Sequence, residues 1–361
     1  MSTPGKIIII SLQGIGNNIF INTVIKKLKR LFPRSHIDFL IKTPASLEIF
    51  NYEQYIRGSY VFPWPPNLKN LIKTIPLLFA LRKEKYDVSL TAFPGNHIFF
   101  NALAWLIHAR KRITHGYKKL YFKSGSFLQN VHIPVDLKAH DIMQNLNLLK
   151  YFKVRPVLKD IEYPVRLRDE DRARATEFLK RKKVKSKDIL IGLHPGSSEA
   201  REMKFKRWDR QNYAALIRSL YQKKKCKFIL FTGPEEQAIA SWIFQACKKT
   251  VPLSHLFINQ TGLGEASALI EKCRLMITND SGLMNVAAGL KIPCVVVQGG
   301  ANDPVRTAPL GKIHTVINST IDCYPCRDIA SMGKRFTCRT RECLKTISVE
   351  TVLRAVLKKL K

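Results

Sequence analysis

The residues Asn279-Asp280-Ser281-Gly282 stand where an apolar run, Leu275 to Thr278, gives way to Leu283, Val286, Ala287 and Leu290 at helical spacing. An acid, a hydroxyl and a glycine at a strand-to-helix junction suit two tasks. Asp280 or Ser281 caps the helix by accepting from its orphan N–H groups. Gly282 lets an anion approach the positive end of the same helix. Taken alone, the junction favours the cap. Other loops add chemistry of the same kind. His194-Pro195-Gly196-Ser197-Ser198 ends another apolar run with backbone donors and two hydroxyls, and Lys206 in the basic segment that follows would neutralise a diphosphate. Glu235 and Glu236, after a third run, offer a carboxylate to a ribose. Together these features point to a nucleotide diphosphate.

The elements that must hold these loops alternate in type. Lys6 to Leu12 is a continuous apolar run suited to a strand covered on both faces, and Gln13 to Asn18 supplies a turn. The next segment buries Ile21, Val24, Ile25, Leu28 and Phe32 on one side, and a second strand follows at residues 35–41. Such a βαβ unit implies a parallel sheet with right-handed crossovers. Strands over 86–93 and 111–117 and helices over 97–109 and 141–152 extend it. The pattern loosens between Val154 and Asp188, then a second alternating series begins. The expected architecture is α/β, with two Rossmann-like domains facing a central cleft. Residues 1–165 form the acceptor side, 166–345 the nucleotide-sugar side, and 346–361 a C-terminal helix. Ligands of such domains sit at the carboxyl ends of the strands.

Gly14 and Gly16 begin like a dinucleotide fingerprint, but the third glycine is missing and the second strand ends in Ile41 and Lys42, not an acid for a ribose. No Walker loop, zincin motif or nucleophile elbow is present. The 61 Lys and Arg against 27 Asp and Glu give a formal charge of +34, which implies an anionic partner: nucleic acid, an anionic membrane face or a phosphorylated substrate. The basic runs are short and scattered, without aromatic-rich repeats, so specific nucleic-acid binding is not expected. No run reaches the length of a membrane span and the N-terminus has no signal pattern, so a cytoplasmic location is expected. Cys323, Cys326, Cys338 and Cys343 have a C-x2-C-x11-C-x4-C spacing. That spacing would admit zinc, but a zinc ribbon usually carries a close pair in both halves, and plain thiols are favoured.

At this point the chain resembles glycosyltransferase family 9, the ADP-heptose:lipopolysaccharide heptosyltransferases. The resemblance covers nearly the whole length: "IIIISLQGIGNNIFINTVIKKLKRLFP", "HDIMQNLNLLK", "IGLHPGSS" with "KRW", "FTGPEE", the late cysteines and, most specifically, "TNDSGLMNVAAGLKIPCVVVQG". It implies a GT-B fold and an inverting, metal-independent transfer with no cofactor. By position, Lys206 matches the lysine on the donor phosphates, Asp280, Ser281 and Gly282 match the phosphate motif, and Glu235 or Glu236 meets the ribose. His194 and Ser197 lie in the donor loop, and Gly14 and Gly16 on the acceptor side. Two departures stand out. Many members carry an Asp in the first loop as the base for the acceptor hydroxyl, where this chain has Asn17, and a histidine where it has Asn285. Asparagine is no base. His97, in "FPGNH", is the leading replacement, set against a plain role as the cap of the helix it precedes; His115, His140 and His194 are weaker choices. The expected function is transfer of a heptose or related sugar from a nucleotide-diphosphate donor to an anionic glycolipid acceptor of the lipopolysaccharide core, peripheral at the inner face of a membrane. The alternatives are another nucleotide sugar with another glycan, or a sugar-nucleotide binder without turnover.

Overall fold

Alternate side chains of the run Ile7–Ile10 enter two different cores. Ile7 and Ile9 pack with Phe20, Ile21, Val24 and Leu28, whereas Ile8 and Ile10 pack with Phe100, Leu103, Ala104 and Ile107. A run without polar alternation therefore becomes a strand covered on both faces. The structure is a computed structural model describing residues 3–50, 55–65, 67–117, 120–136, 138–197, 204–326, 338 and 340–361. The first sheet contains β1 (Lys6–Ser11), β2 (His36–Ile41), β3 (Gly58–Val61), β4 (Val88–Thr91), β5 (Lys111–Gly116) and β6 (Val131–Pro134). Their order is β3-β2-β1-β4-β5-β6, and every pairing is parallel. Helices α1 (Ile15–Leu31), α2 (Leu68–Lys83), α3 (Ile98–Ile107) and α4 (Asp141–Asn147) belong to this unit.

The second sheet repeats the arrangement with β7 (Leu190–His194), β8 (Lys227–Phe231), β9 (Leu256–Asn259), β10 (Leu275–Asn279), β11 (Cys294–Gln298) and β12 (Thr315–Asn318). It runs β12-β11-β10-β7-β8-β9, which is the first order read from the other edge. Its helices are α5 (Asp169–Arg181), α6 (Arg210–Lys224), α7 (Gln237–Cys247), α8 (Leu263–Glu271) and α9 (Gly282–Gly289). The chain passes from one compact unit to the other between Pro164 and Val165. Before that point the connecting segment is tied to α1, with Thr23 Oγ1 donating to the Glu162 carbonyl at 2.7 Å and Lys27 pairing with Asp160 at 2.7 Å. The terminal helix Val349–Lys359 packs Val352, Leu353 and Val356 into the core of the second unit.

In each sheet the strand order reverses beside the first strand, between β1 and β4 and between β7 and β10. Ligands of open parallel sheets bind at that switch point, outside the carboxyl ends. The loops after β1 and β4, and those after β7 and β10, are therefore the ones positioned for binding in their respective units. The short edge strands β3, β6 and β12 and the whole of α2 were not foreseen from the sequence. Edge strands are short and lack a two-sided apolar run. Helix α2 carries apolar residues on two faces, which blurs its period.

Candidate functional site

The cap of α9 is Ser281. Its backbone is extended and its Oγ accepts from Met284 N–H at 3.4 Å, which leaves the preceding Asp280 to a different task. Asp280 Oδ2 accepts from Lys206 Nζ at 2.8 Å and from Asn302 Nδ2 at 2.7 Å. Lys206 and Asp280 are both buried, 8% and 7% exposed. Asp280 is thus a holder: it fixes the Lys206 ammonium beside the N-terminus of a helix, an arrangement that suits an anion. Asn285, in the second turn, donates to the Ser281 carbonyl at 3.5 Å, and its own buried Oδ1 has no partner among the described residues.

A second chain of contacts converges on the same cap. Glu236 Oε2 lies 3.2 Å from His194 Nε2, and His194 Nδ1 lies 2.9 Å from Ser281 Oγ. A carboxylate only accepts, so His194 Nε2 donates to Glu236, and Nδ1 shares a second hydrogen bond with the Ser281 hydroxyl. The same order of atoms activates nucleophiles in hydrolases. Here the serine oxygen already caps α9 and lies 3.1 Å from Thr278 Oγ1, so the chain serves to hold the loop after β7 against α9. Burial alone would raise Glu236, but its bond to His194, that ring's charge and the Gly233 N–H at 2.7 Å hold the carboxyl down at about 2.

Glu235 and Glu236, equivalent in the sequence, are distinguished here. Glu236 is turned inward as a structural acceptor, and Glu235 is exposed. Only Glu235 is oriented toward solvent, where a ribose could reach it. Ser197 is buried and receives the Arg207 guanidinium, whose Nε donates to the Ser197 carbonyl at 3.2 Å and to its Oγ at 3.3 Å. Ser198 lies outside the described residues. Sequence reasoning missed Asn279. Its Oδ1 accepts from Trp208 N–H and Tyr213 O–H, each at 3.0 Å, while its Nδ2 donates to the carbonyls of Pro195 and Gly196 at 2.8 and 3.2 Å. One buried amide therefore joins the loop after β7, the segment carrying Lys206, and β10. Its only signal was a polar residue ending an apolar strand. A basic cavity of about 370 Å³ opens nearby, lined by Pro195, Lys204, Arg207, Trp208, Arg210 and Ile239 among others. Asp280, Ser281 and Gly282 are not among its lining residues.

In the first unit Gly14 is the uncapped N-cap of α1, and Gly16 and Asn17 are half-buried in its first turn. Asn18 anchors the turn: its Oδ1 accepts from Ser11 O–H at 2.7 Å and its Nδ2 donates to Ser46 Oγ at 2.8 Å. The loop after β4 is held by α4, where Asn145 Oδ1 accepts from Phe93 N–H at 2.9 Å. His97 caps α3, its Nδ1 accepting from Phe99 N–H at 3.2 Å. With that lone pair engaged and Nε2 protonated in the neutral ring, taking a further proton requires opening the cap, so the geometry speaks for the cap over the base. His140 caps α4 in the same way, and His115 is fully buried, lowered to about 4 by burial. Neither offers a solvent-facing base.

The late cysteines gather around Gly300. Its N–H donates to Cys343 Sγ at 3.3 Å, and a Cβ there would lie 2.8 Å from Cys326 Sγ. Burial, reinforced by Cys323, Cys343 and Cys338, pushes the Cys326 thiol up to about 11. Among the described residues no group of three or more potential ligands is arranged to hold a metal ion. Nor is any helix among them long and apolar enough to cross a membrane.

Two parallel sheets of one strand order, each with loops at its switch point, are the paired Rossmann-like units of a GT-B fold. The chain belongs to glycosyltransferase family 9 (heptosyltransferase), whose family model matches residues 76–336. It is 25% identical over 322 residues to lipooligosaccharide heptosyltransferase 2 of Haemophilus ducreyi, covering 86% of this chain and 88% of that protein. A glycosyl transferase family 9 structure from Veillonella parvula shares the fold with a TM-score of 0.75 at 23% identity, over 99% of this chain and 97% of that one. The E. coli ADP-heptose LPS heptosyltransferase II structure does so with a TM-score of 0.74 at 20% identity, over 98% of each chain.

Proposed function

We propose that this protein transfers a heptose from ADP-heptose to a lipopolysaccharide core-type acceptor, with inversion, working peripherally at the inner face of a membrane. The observation that carries the reading is the buried Lys206–Asp280 pair beside the N-terminus of α9 at the switch point of the second sheet. An ammonium and a row of helix N–H groups stabilise a leaving diphosphate as negative charge develops on it. Glu235 would meet the ribose. Membership of the heptosyltransferase family and the donor named for the E. coli relative support the choice of sugar nucleotide.

In the transfer the acceptor oxygen attacks the anomeric carbon from the face opposite the diphosphate, and the bond to the phosphate oxygen breaks with its electron pair. Direct attack inverts the centre. Asn17 orients the acceptor hydroxyl through its amide, and since an amide is no base the hydroxyl proton passes to solvent water as the new bond forms. The test follows ADP released from ADP-heptose with deacylated core acceptors, for the native protein and for Asn17→Asp, beside donor affinity for Lys206→Met. The proposal expects release and product with the native protein, and donor binding weakened about tenfold or more by Lys206→Met. Release only after Asn17→Asp would mark the natural protein as a donor binder. Donor affinity unchanged by Lys206→Met would remove the clamp.

A further inference from the structure

Helix α2 buries a single side chain, Leu81. Successive residues turn through about 100°, so Leu68, Leu71, Ile72, Ile75 and Phe79 share one stripe, while Leu77, Leu78 and Leu81 face the core. The stripe is open to solvent: Leu68 is 83% exposed, Ile72 77% and Phe79 62%. Single exposed apolar residues are ordinary, but a stripe along a whole helix marks an interaction surface. It continues into α3 through an apolar groove of about 360 Å³ that includes Leu71, Leu78, Phe99, Leu103 and Leu106 in its lining. Trp64, ahead of α2, packs edge-on against Phe99 at 5.8 Å, and Lys42 Nζ stands 4.9 Å from its ring. A Cβ on Gly125 would meet Ile98 of α3 at 2.8 Å, and beside that glycine Phe122 and Phe127, 79% and 52% exposed, stand 6.5 Å apart. Trp64, Ile98 and this aromatic turn follow the carboxyl ends of β3, β4 and β5.

Charge identifies what covers the surface. No acid occurs within α2, nor between Asp87 and Asp136, while Lys69, Lys73, Lys83, Arg110, Lys111 and Lys123 do. The two acids that follow α2 are engaged elsewhere, Glu84 with Lys6 and Arg57, and Asp87 with the N–H groups of Gly5 and Lys6. A second copy would set like charges face to face. An anionic lipid surface would neutralise them, and apolar side chains flanked by lysines are the pattern of a helix lying in a membrane interface.

We propose that α2, with Trp64 and the Phe122–Phe127 turn, docks the protein on an anionic lipid bilayer, its apolar stripe entering the headgroup boundary and its lysines meeting lipid phosphates. This assigns a surface to the membrane location proposed above and rests on that part of the reading, not on the donor. The test is flotation with phosphatidylcholine vesicles with and without phosphatidylglycerol, for the native protein, Ile72→Glu/Phe79→Glu, and Lys223→Gln/Lys224→Gln, a control on exposed residues of α6 that lowers the net charge equally. Thermal unfolding of each variant, and the milder Leu68→Ser/Ile72→Ser, guard against a folding defect. Native binding to phosphatidylglycerol vesicles, weakened at least about tenfold by the α2 changes and little by the control, is expected. Undiminished binding by the α2 variant overturns the docking surface while leaving membrane association intact. Equal losses in both variants reduce binding to net charge and also overturn it. A native protein that ignores anionic vesicles, or a dimer dissolved by the α2 changes without vesicle binding, removes the membrane reading, and ADP release still judges the donor reading separately.

Discussion

A methyl group at residue 196 tests how the donor loop is held. A Cβ on Gly196 would stand 2.2 Å from Glu236 Cδ and 2.3 Å from its Oε1, far inside ordinary contact. Glu236 cannot swing aside without giving up His194 at 3.2 Å and the Gly233 N–H at 2.7 Å. The cost of Gly196→Ala is therefore the smaller of two quantities, the clash or the lost bonds. Hydrogen bonds to a charged group contribute about 1.5–3 kcal/mol each, and overpacking costs about 1–3 kcal/mol, so a loss of about 2–3 kcal/mol is expected. Glu236→Ala should cost a similar amount, because it leaves His194 and Gly233 N–H without their acceptor. Once Glu236 is gone the added methyl has room. The double variant should then be no less stable than Glu236→Ala alone, a coupling of about 2 kcal/mol. Urea unfolding of the second unit's transition for the native protein and the three variants closes the cycle. Costs that add to within about 0.5 kcal/mol would refute the reasoning, as would a Gly196→Ala protein of native stability.

Two further outcomes follow from the same geometry. His97→Ala should lower stability by about 1 kcal/mol through the lost cap of α3, and His97→Asn should restore most of it and keep turnover, since asparagine caps but accepts no proton; turnover lost in both variants would reinstate His97 as the base. The Glu236 carboxyl, held down at about 2 against its usual 4.5, stabilises the fold above about pH 4.5, and that contribution fades as pH falls toward 2. The native protein should exceed Glu236→Gln by about 3 kcal/mol near neutrality, with the gap narrowing below pH 4.5. A gap unchanged between pH 7 and pH 3 in denaturant titrations would contradict the held carboxylate.

Much of this was legible in the sequence. Uninterrupted runs such as Ile7–Ile10 and Val295–Val297 demand strands covered on both faces, and the helices between them demand parallel connection, so the α/β class and the loops at the carboxyl ends follow from local pattern. The Asp280–Gly282 junction was recognisable as a capped helix start for the same reason. What local pattern cannot supply is the partner of a side chain distant in sequence. The sequence presents Glu235 and Glu236 as equals, and only packing turns Glu236 onto His194. Asp280 reads as a ligand group until the fold brings Lys206 and Asn302 to it. His97 has the residue type of a base, and the start of α3 makes it a cap. Helix α2 is the clearest case, because periodicity says which residues share a face but not whether that face meets a core, water or lipid. That depends on which elements the rest of the chain lays against it, and here the tertiary structure covers one apolar face and leaves the other exposed.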